Sequence, residues 1–349
     1  MHLLDELEAR ARELLPVAHY DYFAGGAGSE QTIAENAAAW RRWWIRPRVM
    51  VDVDTIDTTC TLLGRQLASP ILLAPMAAQR LLHPEGEPAA ARAAGAAQTV
   101  YCLSTRATAD LAEVAAAASG PLWFQLYVER DHEQTERVLA RAAEHGFAAV
   151  LVTADLPVAG RRERELRHGD FPLPEGVALV SHLGGDKGRI HTAVGGWDAS
   201  LTWKDLGWIR DASGLPVIVK GVLCAEDADA ALDAGADAIV VSNHGGRQID
   251  GAIPTAVALP EVAAAVAGRV PVLVDGGIRD GADVVRALAL GADAVLIGRP
   301  YAWGLATGGE AGVRSVIDAF TEDLVRTLAL AGCPSLADVD GGRVRQSVR

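Results

Sequence analysis

One unit recurs along most of this chain and leaves few folds open to it. A short apolar run ends in a polar break, and an alanine-rich stretch with helical spacing follows. The apolar runs fall at residues 70–75, 99–103, 121–126, 148–153, 216–220, 237–241, 271–275 and 293–297. Each has the length of a buried strand and is too short for a helix. Three helix-to-strand joints nearly repeat: Glu144-His145-Gly146-Phe147-Ala148-Ala149-Val150, Asp233-Ala234-Gly235-Ala236-Asp237-Ala238-Ile239 and Leu290-Gly291-Ala292-Asp293-Ala294-Val295. Each puts a glycine where a helix can end in a left-handed cap and lets the strand start at once. Eight strands alternating with helices predict a closed parallel (β/α)8 barrel of the TIM type. An open doubly wound sheet is the alternative, but no GxGxxG follows the first strand.

The flanks of the repeat read differently. Residues 1–68 are expected to form an N-terminal helical cap, the whole of 1–349 making one barrel domain. Residues 3–15 have helical spacing, Pro16 and glycines 25, 26 and 28 break it, and Ile33 to Trp43 resumes it. Trp40, Trp43 and Trp44 with Arg41, Arg42, Arg46 and Arg48 suggest a nucleic-acid patch. The formal net charge of −13 favours a packed cap instead and argues against binding nucleic acid or an anionic membrane. Between the fourth and fifth runs the connection spans about 156–215. Its end, Leu201 to Asp211, looks helical, and its middle, 163–200, is predicted to be a mobile lid loop. The basic run Arg161 to Arg167 reads as mostly solvated face.

The first eight residues carry acids where a signal peptide would carry lysine or arginine, and no run is long and apolar enough for a transmembrane span. Cys60, Cys102, Cys224 and Cys333 are scattered without a CxxC, which speaks against a disulfide framework or a zinc site and fits the cytoplasm. No metal-ligand pattern is present.

In such a barrel, chemistry gathers at the C-terminal strand ends. Those ends carry Pro75-Met76-Ala77, Ser104, Gln125 and Tyr127, Thr153 and Asp155, then Lys220, then Ser242, His244 and Arg247, then Asp275-Gly276-Gly277 with Arg279, and Gly298-Arg299. The last two ends pair bare backbone N–H groups with guanidinium, the composition of a phosphate site. Ser104, Gln125 and Thr153 suit the edge of a flat heterocycle such as a flavin. Lys220 would stabilise the negative charge a flavin gains on reduction, unless it is tied up in a salt bridge inside the barrel. The sixth end, Asp237 to Asp250, joins an apolar strand to Ser242-Asn243-His244-Gly245-Gly246-Arg247, a base and a cation separated by two glycines.

These motifs resemble the FMN-dependent L-2-hydroxy acid oxidases and dehydrogenases, which include glycolate oxidase, lactate oxidase, mandelate dehydrogenase and the flavin domain of flavocytochrome b2. The resemblance runs from Tyr20-Asp21-Tyr22 to Gly332-Cys333. It rests on the SNHGGRQID of residues 242–250, with Ala74-Pro75-Met76-Ala77, His83-Pro84-Glu85-Gly86-Glu87, Phe124-Gln125-Leu126-Tyr127, Val219-Lys220-Gly221, Val274-Asp275-Gly276-Gly277-Ile278-Arg279 and Ile297-Gly298-Arg299-Pro300. It implies FMN as cofactor and oxidation of an L-2-hydroxy acid to the 2-keto acid, with O2 or another acceptor taking the electrons. No cytochrome module precedes the barrel, so no internal haem is expected. A homotetramer is implied as well.

By the same resemblance, His244 would be the base, acting on the α-carbon or the hydroxyl, and Asp155 would stabilise its imidazolium. Arg247 would hold the substrate carboxylate with help from Tyr22, and Tyr127 would bond the hydroxyl. Arg162 matches a second arginine on the substrate side. Pro75, Met76, Ala77, Ser104, Gln125, Thr153 and Ser242 would bind the flavin ring, with Lys220 on its N1 side. Asp275 would hold the ribityl chain, and Gly276, Gly277, Arg279, Gly298 and Arg299 the phosphate. Two positions depart from the glycolate oxidase pattern: Arg106 stands where tryptophan is expected, and Met76 where threonine is. Arg106 would widen the pocket, pair with a second polar or anionic group on the substrate, or turn to solvent. The competing readings are another FMN barrel, such as a type 2 isopentenyl diphosphate isomerase or a nitronate monooxygenase, and a non-catalytic flavin-binding protein. The first lacks the His-x-x-Arg pair, and the second has no use for the base.

Overall fold

The computed structural model describes residues 2–180, 188–190 and 197–347. Its centre is a closed barrel of eight parallel strands: β1 Ile71–Leu73, β2 Tyr101–Ser104, β3 Leu122–Leu126, β4 Ala149–Thr153, β5 Val217–Val222, β6 Ala238–Val241, β7 Val272–Val274 and β8 Ala294–Ile297. Each strand pairs with its chain neighbours, and β8 with β1 and β4 with β5 complete the ring. Helices follow the strands and cover the outside, as a parallel sheet buried on both faces requires.

The period of two along each strand sorts the side chains. Leu72, Cys102, Trp123, Leu151, Ile218, Val240, Leu273 and Leu296 pack together inside the barrel, while Ile71, Leu103, Phe124, Val150, Val219 and Val274 pack outward with the helices. A hairpin, Cys60–Leu62 paired with Arg65–Leu67, places Leu62 and Leu67 in the inner cluster and so stoppers the N-terminal end. Counting on by two from the inner residues reaches Ser104, Gln125, Thr153, Lys220, Ser242 and Asp275. The same alternation that fills the lumen therefore turns these polar groups inward at its open end.

The amino-terminal region is helical at His2–Leu14, Val17–Ala24 and Gln31–Arg41. Residues 43–67 add strands to this cap. Trp43–Ile45 pairs with Val344–Gln346 at the far end of the chain, so Trp43 leaves the helix expected over 33–43. The β4–β5 connection carries the helix Glu163–His168 and a short antiparallel pair, Phe171–Pro172 with Arg189–Ile190. The lid expected over 163–200 includes 181–187 and 191–196, which lie outside the described residues. Among the described residues no helix is long and apolar enough to cross a membrane.

The helices Gly281–Ala289 and Arg299–Ala331 meet closely enough to require glycine. A Cβ at Gly281 would lie 2.1 Å from the backbone nitrogen of Leu324. Gly281→Ala is therefore expected to lower stability by about 1–3 kcal/mol, read as a drop in the urea midpoint at unchanged slope.

Candidate active site

The open end of the barrel holds a cavity lined by Pro75, Met76, Ala77, Ser104, Gln125, Thr153, Lys220, Asp275, Gly276, Gly277, Arg279, Gly298 and Arg299, with Tyr22, Arg106, Tyr127, Arg162, His244 and Arg247 on its outer side. Asp155 and Ser242 stand behind the wall. Ser242 is fully buried, and its Oγ accepts from Lys220 Nζ (2.8 Å) and the His244 backbone N–H (3.0 Å) while donating to Asp275 Oδ1 (2.7 Å). Its hydroxyl is thereby used up in holding three neighbours.

Across the lumen a second chain runs from Ser104 Oγ to Gln125 Oε1 (3.0 Å) and from Gln125 Nε2 to Thr153 Oγ1 (3.0 Å). Lys220 Nζ also lies 3.3 Å from Asp275 Oδ2. The salt bridge and the cavity-lining position thus coexist. Burial works against the charge on Lys220, but Asp275 and Asp155 outweigh it and raise its pKa.

His244 is the first residue of an unusual turn. It takes the left-handed conformation at φ +58°, and Gly245 (+62°) and Gly246 (+76°) follow in the same region. Only glycine enters that region freely, so the two glycines are needed and the histidine carries about 1–2 kcal/mol of strain. A Cβ at Gly246 would also lie 2.9 Å from Ile33. The strain is offset by anchoring to the N-terminal cap: Ala27 N–H donates to Gly246 O, Asn36 and Asn243 exchange amide hydrogen bonds of 2.7 and 2.8 Å, and Asp250 accepts from Ser29 and Thr32.

This turn aims the imidazole. Nδ1 lies 2.9 Å from Asp155 Oδ1, which fixes the proton there and leaves Nε2 as the basic nitrogen, 3.5 Å from the Tyr127 hydroxyl. Burial pushes the His244 pKa below its ordinary 6.5, and Lys220 and Arg162 add to this against the pull of Asp155. The imidazole is therefore neutral at pH 7. Burial acts to raise Asp155, but His244 and Lys220 prevail and hold it ionised. Burial raises Tyr127, which stays a donor, and its ring packs on Trp197 at 4.8 Å.

Arg247 lies over the Tyr22 ring, 5.5 Å from its centroid. Its Nη1 donates to the carbonyls of Tyr22 (2.7 Å) and Gly25 (2.9 Å), and its Nη2 to Glu165 (2.8 Å). Glu165 was not anticipated from sequence. Its side chain is only 3% exposed, and it also meets Arg162 Nη1 at 3.4 Å. Arg162 Nε donates to Arg247 O, so the run 161–167 is not all solvated. Among the described residues, three of the five guanidinium N–H groups of Arg247 are used, which leaves two for a ligand.

At the β7 and β8 ends, Arg279 and Arg299 are partly buried, and desolvation lowers both pKa values, that of Arg299 to about 9. Arg299 donates to the carbonyls of Phe23, Gly25 and Gly245. Neither makes an ion pair among the described residues. Gly276 (φ +91°) and Gly277 (φ +81°) sit beside them, and a Cβ at Gly277 would strike Asn36 O at 2.3 Å. Partly buried cations without carboxylates next to bare backbone are a site for a dianion. Among the described residues no cluster of three or more His, Cys, Asp or Glu side chains could hold a metal ion.

A family model described as FMN-dependent dehydrogenase matches residues 11–346. Glycolate oxidase 1 of Oryza sativa subsp. indica is 46% identical over 343 residues, covering 96% of this chain and 93% of the relative. L-lactate oxidase of Nostoc sp. is 46% identical over 351 residues, covering 97% and 96%. The crystal structure of mandelate oxidase with (S)-4-hydroxymandelic acid superposes with a TM-score of 0.92 at 42% identity, covering 99% of each chain.

Proposed function

Given that the chain belongs to the FMN-dependent dehydrogenase family and is an enzyme of its 2-hydroxy acid oxidase branch, we propose that it oxidises an L-2-hydroxy acid with His244 as base and Arg247 as carboxylate anchor. One observation carries this reading. A neutral imidazole, held by Asp155 through Nδ1, presents Nε2 beside Tyr127 at a cavity that Arg247 also lines.

The lining fits FMN. The guanidinium groups of Arg279 and Arg299, free of ion pairs among the described residues, would with Gly276 and Gly277 suit its phosphate, Asp275 its ribityl chain, and Ser104, Gln125, Thr153 and residues 75–77 its ring. Lys220 would supply a fixed positive charge to the bound ring. When bound, FMN accepts the two electrons that leave the substrate.

The protein's part is binding and proton management. Arg247, with Tyr22 and Arg162, holds the carboxylate and so fixes the α-carbon. Tyr127 donates to the hydroxyl oxygen. His244 Nε2 takes a proton from the α-carbon or the hydroxyl, and Asp155 stabilises the imidazolium that results. Ser242 keeps Lys220, Asp275 and His244 in register from behind. The electrons would end on O2, giving hydrogen peroxide, or on another acceptor. We also place the chain in the reducing cytoplasm, with which its four free cysteines are consistent, and propose a homotetramer on its likeness to the family.

The test is anaerobic mixing of the FMN-loaded protein with a panel of L-2-hydroxy acids, followed by oxygen and a peroxide assay. Bleaching by 2-hydroxy acids is expected; a flavin that none of them bleaches sinks the reading. The reductive rate should also depend on pH in a stated direction. A base must be deprotonated, and the His244 pKa lies below 6.5. The rate is therefore expected to be flat from about pH 7 to 8 and to fall tenfold per unit only on the acid side of 6.5. A midpoint above 7 would contradict the assignment.

A further inference from the structure

We propose that Arg106 binds a second anionic group on the substrate, making the preferred substrates L-2-hydroxy acids that carry another carboxylate; this rests on the 2-hydroxy acid reading of the same site. Arg106 is 7% exposed and lines the substrate side of the cavity. Its backbone is pinned, with its N–H donating to Ser104 Oγ and its carbonyl accepting from Ala78. The preceding residue, Thr105, accepts from the backbone N–H of Tyr127 through its Oγ1, which puts Arg106 on the loop beside that tyrosine.

The side chain itself is unsatisfied. Its Nε is buried without a hydrogen-bond partner, and among the described residues it makes no ion pair. Each carboxylate at the site already faces another basic group: Asp155 Oδ1 meets His244, Glu165 meets Arg162 and Arg247, and Asp275 meets Lys220, while Asp155 Oδ2 is buried without a hydrogen-bond partner and no ion pair joins it to Arg106. The anions of the proposed reaction are accounted for too. The phosphate falls to Arg279 and Arg299, and the α-carboxylate to Arg247. A buried guanidinium is costly unless it is paired, and Arg106 is the one this scheme leaves over. A carboxylate at the far end of the substrate would pair with it, whereas an alkyl or aryl group would leave it desolvated and alone.

Two measurements on the FMN-loaded protein decide this. The first compares anaerobic flavin reduction by L-malate and L-2-hydroxyglutarate with that by L-lactate and L-mandelate. At least one dicarboxylate is expected to be preferred, on the order of 10- to 100-fold in second-order rate constant. Arg106→Met should erase the preference, and Arg106→Lys should keep part of it. The second needs no turnover. Citramalate and 2-hydroxyisobutyrate lack an α-hydrogen, and their binding can be followed by perturbation of the flavin spectrum. Citramalate should bind at least tenfold more tightly to the wild-type protein and not to Arg106→Met. Reduction by monocarboxylates with no dicarboxylate preference, and equal binding of the two analogues, would overturn the role of Arg106 while leaving the 2-hydroxy acid reading standing. If no 2-hydroxy acid reduces the flavin, that reading fails, and the analogue titration alone still decides whether Arg106 recognises the second carboxylate. The wild-type comparison stands even if a variant fails to fold.

Discussion

Substituting His244 is expected to slow flavin reduction by substrate about 10²- to 10⁴-fold, the range for removing a positioned general base. The choice of replacement matters because His244 sits at φ +58°. Asparagine tolerates the left-handed region, whereas a β-branched residue does not. His244→Asn should therefore lose the chemistry and keep the turn, with FMN still bound and a melting temperature near that of the wild type. His244→Val should lose both, at an added cost of about 1–2 kcal/mol. Stopped-flow bleaching of the flavin and thermal melts separate the two effects. An asparagine variant that is reduced at close to the wild-type rate would remove His244 from the mechanism.

Arg247→Met is expected to cost about 10²- to 10³-fold in kcat/KM, from loss of the charge pair to the substrate carboxylate. A structural loss should accompany it. Glu165 is only 3% exposed, and Arg247 Nη2 at 2.8 Å is its nearer cation. Arg162 remains at 3.4 Å, so the penalty is that of a partly satisfied buried carboxylate, about 1–3 kcal/mol. Adding Glu165→Gln to Arg247→Met removes the stranded charge. The double variant should regain part of the stability and none of the activity. If activity returned with stability, Arg247 would be a scaffold residue and the anchor would have to be sought elsewhere.

The barrel was legible because its punctuation is local. All eight strands lie within two residues of the apolar runs at each end, and the glycine joints needed no distant partner. The polar strand ends were legible for the same reason, since a period of two carries a residue's facing along the strand. What escaped depends on pairings far apart in the chain. Trp43–Ile45 has helical neighbours and becomes a strand only because Val344–Gln346 lies beside it. The helix Glu163–His168 is too short to show a period, so nothing marked Glu165 as buried. Asn36, inside a helix, carries no signal that its amide will meet Asn243. Arg106 shows a different limit. Its position was readable, but whether it turned inward or to solvent depended on burial, and the structure places it inside.

The clasp between Asn36 and Asn243 spans 207 residues, and this matters while the protein is being made. Translation proceeds at about 5–20 residues per second, so the N-terminal segment waits about 10–40 s for the loop that will receive it. Throughout that interval Trp40, Tyr22 and Phe23, all buried in the finished molecule, lack the 243–247 loop and the later strands that complete their surroundings. The growing chain thus exposes an aromatic segment well before the partners that cover it are made.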